Sequence, residues 1–160
     1  MGCGWMAIAA AQAARRGETL EQIVDLVEGM KERTRVLAVL DTLDFIYRGG
    51  RVGWVQALVG TLMRIKPIID VHQGQVLLLE RARTRARSIR RLLDQVVALG
   101  PLERAAVLHT NAPDTANHVA DQFAGTIPNW ERLIAPAGVT IASHVGPGAV
   151  GIACVTAKQT

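Results

Sequence analysis

The sequence predicts an α/β fold, a mixed β-sheet flanked by helices, on three observations. Short apolar, often β-branched runs (Val36 to Leu40, Ile68 to Val71, Val76 to Leu79, Ala105 to Leu108, Ala149 to Thr156) alternate with segments whose apolar residues recur at helical spacing. The chain has 160 residues, enough for one ordinary domain that buries roughly 70% of its unfolded surface. Hydrophobic residues make up 49% and charged residues 20%, which excludes a disordered chain. Aromatics are 4%, so Ala, Val, Leu and Ile must build the core.

The elements follow in order. Residues 5 to 16 read as a helix apolar nearly all round, with Gly17 as its C-terminal cap. Thr19, followed three residues later by Gln22, is a capping-box pattern for a second helix reaching about Arg33. Val36 to Leu40 has the length of a buried strand. Asp41 or Thr42 can cap a short helix through Tyr47 that Gly49-Gly50 ends. Trp54 to Arg64 carries Leu58, Val59, Leu62 and Met63 at helical spacing, and Lys66-Pro67 breaks it. Ile68 to Val71 and Val76 to Leu79 form a hairpin around Gly74. An arginine-rich helix then runs to Leu99 and stops at Gly100-Pro101. A strand at 105–108, a helix at 113–123 that Asn111 can cap, and a strand at 131–135 come next. A short helix at 139–143, a glycine loop from His144 to Gly148 and a last strand complete the chain.

The net charge of +4 is local. Arg81, Arg83, Arg85, Arg87, Arg90 and Arg91 lie together with no acid among them, while the other twelve basic residues are outnumbered by fourteen acidic ones. No helix-turn-helix pattern, RNA-binding aromatic pair or aromatic interleaving accompanies this run, which argues against nucleic acid. It is either a contact for a protein or phosphate, or a solvated face. Cys3 and Cys154 show neither a disulfide framework nor zinc-ligand spacing, so a reducing cytoplasm is the simplest compartment. The apolar start lacks a basic lead-in for a signal peptide and is too short to span a bilayer. It reads as a buried or partner-packed helix.

Two segments have the chemistry of a binding site. In His144-Val145-Gly146-Pro147-Gly148, glycines let the backbone approach a ligand and aim N–H groups at an anion, and the histidine can donate to a carboxylate or phosphate. The bland reading is a tight turn. Gly49-Gly50-Arg51 presents one arginine suited to a carboxylate or phosphate, or else is a helix cap with a solvated side chain. His109-Thr110-Asn111 reads as a structural strand-to-helix turn, and His72 and His118 as turn and helix-surface residues. No carboxylate pair, Ser/His/Asp order or Cys/His pair stands out for catalysis.

Several of these segments together resemble the DegV family of bacterial fatty-acid-binding proteins. The resemblance rests on Asp41-Thr42-Leu43 followed by Arg48-Gly49-Gly50-Arg51-Val52-Gly53, on Ile65-Lys66-Pro67-Ile68, the Gly74 turn and Glu80 to Arg85. His109-Thr110-Asn111, His144 to Ala149 and the linker Gly17 to Ile23 extend it over nearly the whole chain. It implies that residues 1–34 are interdomain helices and 35–160 the C-terminal domain of a two-domain protein whose N-terminal domain has no counterpart here. It further implies a non-catalytic carrier that holds one long-chain fatty acid, with no cofactor or metal, and presents its carboxylate to a fatty acid kinase. By that resemblance His144, with Gly146, Gly148 and Arg51, lies at the carboxylate. Arg83 or Arg85 faces the kinase. Leu58, Leu62 and Ile65 line the acyl chain, or are ordinary core. A second copy of the chain could cover the surface meant for the other domain. The alternative is a phosphotransfer or kinase-associated domain that uses His144 on a small molecule.

Overall fold

Six strands form one mixed sheet in the computed structural model, which describes residues 1–50, 65–124 and 130–158. They are β1 (Thr34–Val39), β2 (Lys66–His72), β3 (Gln75–Ala82), β4 (Leu102–His109), β5 (Ile134–Pro136) and β6 (Val150–Thr156), in the order β3-β2-β1-β6-β4-β5. β4 and β5 run parallel, and the other neighbours pair antiparallel. The β2–β3 hairpin turns through Gln73 and Gly74, both at positive φ, the backbone that a tight hairpin matched to the strand twist demands.

Among the described residues the helices are α1 (Gly2–Arg15), α2 (Leu20–Lys31), α3 (Asp44–Gly49), α4 (Arg85–Ala98), α5 (Pro113–Phe123) and α6 (Val139–Val145). The capping box forms as its spacing predicts: the Gln22 N–H donates to Thr19 Oγ1, and the Thr19 N–H to Gln22 Oε1. Thr84 caps α4 by accepting from the Arg87 N–H.

The structure departs from expectation at several ends. α3 begins at Asp44, because the Thr42 hydroxyl accepts the Asp44 N–H in a local turn and neither Asp41 nor Thr42 occupies the cap position. Asn111 does not cap α5. It sits at φ 50°, and the His109 ring accepts the Ala112 N–H instead. The strand expected at 131–135 shortens to β5, while α6 extends to Val145 and takes His144 into its last turn. The helix expected at 54–64 lies outside the described residues.

Alternation along the strands gives the sheet two apolar faces. On one, Ile89, Leu92 and Val96 of α4 and Val119 and Phe123 of α5 close over Leu37, Ile68, Val107 and Ile152. Trp130 meets Phe123 edge-on at 5.0 Å and donates its indole N–H to the Ala105 carbonyl. On the other face, Trp5 and Ala9 of α1 and Met30 of α2 cover Ala106 and Val155, with the Trp5 indole donating to the Ala153 carbonyl. A third cluster, Leu40, Leu43, Ile46, Ile69 and Ala149, seats α3 at one end of the sheet. Cys154 is buried, which pushes its thiol up to about 12, and Cys3 is exposed. Among the described residues no helix is long and apolar enough to cross a membrane.

Candidate functional site

One cross-strand row marks an edge of the sheet. Ile68 pairs with Val39, Val39 with Val150, Val150 with His109, and His109 with Pro136. Each strand leaves the sheet just beyond this row. The residues met there are Asp41 after β1, Lys66 at the start of β2, Arg83 and Arg85 after β3, Thr110 after β4 and Gly148 before β6. Positions scattered from 41 to 148 along the chain thus line one edge because antiparallel pairing sets the ends of alternate strands side by side.

The glycine loop lies along this edge, tied to Thr110. The Thr110 hydroxyl donates to the Gly146 carbonyl (2.6 Å) and accepts the Ala149 N–H (2.9 Å). Thr110 main chain adds two more bonds, its N–H to the Ala149 carbonyl at 2.9 Å and its carbonyl from the Gly148 N–H at 2.6 Å. Two glycines are required here. Gly146 has φ 73° and ψ 176°, a region essentially closed to side chains, and a Cβ on it would stand 2.3 Å from the Phe45 ring. Gly148 has φ 84°, and its Cβ would press on Asp41 at 3.2 Å. His144 is half-buried in the last turn of α6, and its ring makes no hydrogen bond among the described residues.

Two cations brace the loop from the far side. Lys66 donates to the Asp41 carboxylate (2.7 Å) and to its carbonyl (2.8 Å). Arg85 donates through Nη2 to the Gly148 carbonyl, while its Nη1 lies 3.7 Å from Asp41 Oδ1, buried and without a hydrogen bond. Burial lowers the Arg85 pKa, and the Asp41 charge opposes that shift. Two cations facing one acid leave this network net positive, which favours an anion nearby.

The sequence candidates divide accordingly. His144, Gly146 and Gly148 sit together, and Ile65 packs half-buried against the Leu40, Leu43 and Ala149 cluster. Arg51, Leu58 and Leu62 lie outside the described residues. Arg83 is exposed with no ion pair among them, whereas Arg85 turns inward to the loop. Further along the run, Arg91 holds both oxygens of Glu80 at 2.7 and 2.8 Å, an attraction that lowers the Glu80 pKa. Thr110, Asp41 and Lys66 are site-forming residues that sequence reasoning left as turn or motif positions. Their types carried the signal, a hydroxyl, an acid and a base at strand ends, but only the strand order makes them neighbours. Among the described residues no group of three or more His, Cys, Asp or Glu could hold a metal ion.

The DegV family model, described as "uncharacterised protein, DegV family", matches residues 1–157. A DegV domain-containing protein of Streptomyces coelicolor is 36% identical over 155 residues, covering 95% of this chain and 55% of the relative. Two solved structures are similar. The fatty-acid-binding protein DegV of Bacillus subtilis aligns at TM-score 0.79 and 32% identity, over 97% of this chain and 57% of that one. A DegV family protein of Thermus thermophilus, described for its fatty acid binding, aligns at TM-score 0.87 and 29% identity, over 98% and 57%. The chain spans about half the length of the curated relatives it matches. With the family model spanning nearly the whole sequence and the sheet superposing on those structures, this chain belongs to the DegV family.

Proposed function

We propose that this chain holds the carboxylate of a long-chain fatty acid at the glycine-loop edge of its sheet, as the C-terminal portion of a cytoplasmic carrier. The observation that carries this reading is the convergence on one sheet edge of a glycine loop, a net cationic brace and His144, whose ring has no hydrogen-bond partner among the described residues. A carboxylate leaving water needs donors to offset its desolvation. His144 and loop N–H groups supply them, and Arg85 and Lys66 set a favourable field. The fatty acid binding described for similar Bacillus and Thermus proteins supports the ligand class.

In this reading residues 35–160 form the C-terminal domain and 1–34 the interdomain helices. Ile65, with Leu58 and Leu62, faces the acyl chain, where each buried methylene contributes about 0.8 kcal/mol. Arg51 lies near the carboxylate. Exposed Arg83 contacts a fatty acid kinase, and Arg85 reaches the same partner indirectly, through the loop it braces. In this reading the carrier itself performs no chemistry and hands the acid on unchanged.

Mass spectrometry of an organic extract of the purified protein tests the proposal. Intact free fatty acid is expected, with the polypeptide at its unmodified mass. The absence of both co-purifying lipid and uptake of added oleate would count against a carrier, and a covalent adduct on His144 would favour phosphotransfer chemistry instead.

A further inference from the structure

We propose that Thr110 is a positioning residue for His144, its hydroxyl fixing the end of the helix that carries the imidazole; the role assigned to His144 rests on the carboxylate-binding reading above. α6 has seven residues and fully buries none of them, and only Val145 at its end packs, half-buried, against the Leu40, Leu43 and Ala149 cluster, so its length contributes little to holding it in place. The His144 ring has no hydrogen-bond partner among the described residues to orient it. What locates it is the helix end, where the Gly146 N–H closes on the Ala142 carbonyl and the Gly146 carbonyl receives the Thr110 hydroxyl.

Thr110 is only 5% exposed, and its hydroxyl uses both capacities at once. It donates to the carbonyl before the loop's turn and accepts the Ala149 N–H after it. One side chain thereby fixes the span between His144 and β6. Phe45 closes the other side of Gly146, and the main-chain bonds of Thr110 continue the β4–β6 ladder whatever its side chain. Valine at this position keeps the shape and removes the hydroxyl, leaving the Gly146 carbonyl and the Ala149 N–H unpaired. Serine restores the hydroxyl without the methyl.

The test compares Thr110→Val, Thr110→Ser and wild type, each also in a His144→Ala background. For oleate, Thr110→Val is expected to raise Kd about five- to tenfold, as for a lost buried hydrogen bond. Thr110→Ser should remain within about twofold of wild type, and in the His144→Ala background Thr110→Val should add less than about twofold. A second readout needs no ligand. The Ala149 amide should exchange about tenfold faster in Thr110→Val and the His144 ring resonances should broaden, with both restored in Thr110→Ser. Unchanged ring resonances in Thr110→Val would overturn the proposal whatever the ligand, as would an undiminished effect without His144. If wild type binds no oleate while the ring still depends on the hydroxyl, the carboxylate reading fails and the positioning role stands.

Discussion

Gly146→Ala is expected to cost about 2–4 kcal/mol of stability, a drop in Tm of roughly 10 °C for a chain of this size, and to abolish measurable fatty acid binding. Two effects combine. The backbone at φ 73° and ψ 176° is strained for any side chain. The new Cβ would also stand 2.3 to 2.9 Å from three Phe45 ring atoms, closer than carbon atoms approach. Phe45 is 38% exposed and can swing outward, but doing so uncovers the helix end that carries His144. Gly50→Ala is the control. Gly50 has φ 60° and ψ 17°, with nothing within 4 Å of its Cβ position, so alanine there should cost only about 1 kcal/mol. Thermal melts of both variants separate the effects. Equal losses would mean that the contact between Phe45 and Gly146 does not shape the loop.

His144→Ala is expected to do the opposite, leaving the melting temperature within about 1–2 °C of wild type while weakening fatty acid binding roughly tenfold to a hundredfold. The ring is half-buried and bonded to no described residue, so its removal breaks no hydrogen bond among the described residues. A hydrogen bond to a charged group contributes about 1.5–3 kcal/mol, and its loss sets the expected change in affinity. Isothermal titration with oleate measures it, and an unchanged Kd would remove His144 from the carboxylate's shell.

The fold was largely legible because its local signals agree with its global arrangement. Thr19 and Gln22, the Gln73-Gly74 turn and the glycines after α1 and α4 stop or start elements by mechanisms that operate within a few residues. The failures are also local in cause. Thr42 formed a turn of its own, and a histidine ring took the place expected for the Asn111 side chain. Pattern alone could not tell that His144 belongs to a helix end, since a glycine loop and a glycine-capped helix share the same residues.

The site was half legible. His144, Gly146 and Gly148 stand out by type and spacing, but their support does not. Asp41, Lys66, Arg85 and Thr110 come from four separate strand ends, and no spacing in the sequence relates them. The inward turn of Arg85 shows the same limit. Within the run of six arginines it is indistinguishable from Arg83, yet one is exposed and the other donates to a loop carbonyl.

The most direct test of a carboxylate at the glycine loop is an amide and imidazole chemical-shift map of the protein titrated with oleate. The largest changes are expected at His144, Gly146, Gly148 and Ala149, saturating together, with smaller changes at Thr110 and Arg85. Shifts that spare residues 144–149 and concentrate on the exposed arginines of α4, or no shifts while the protein stays folded, would contradict it.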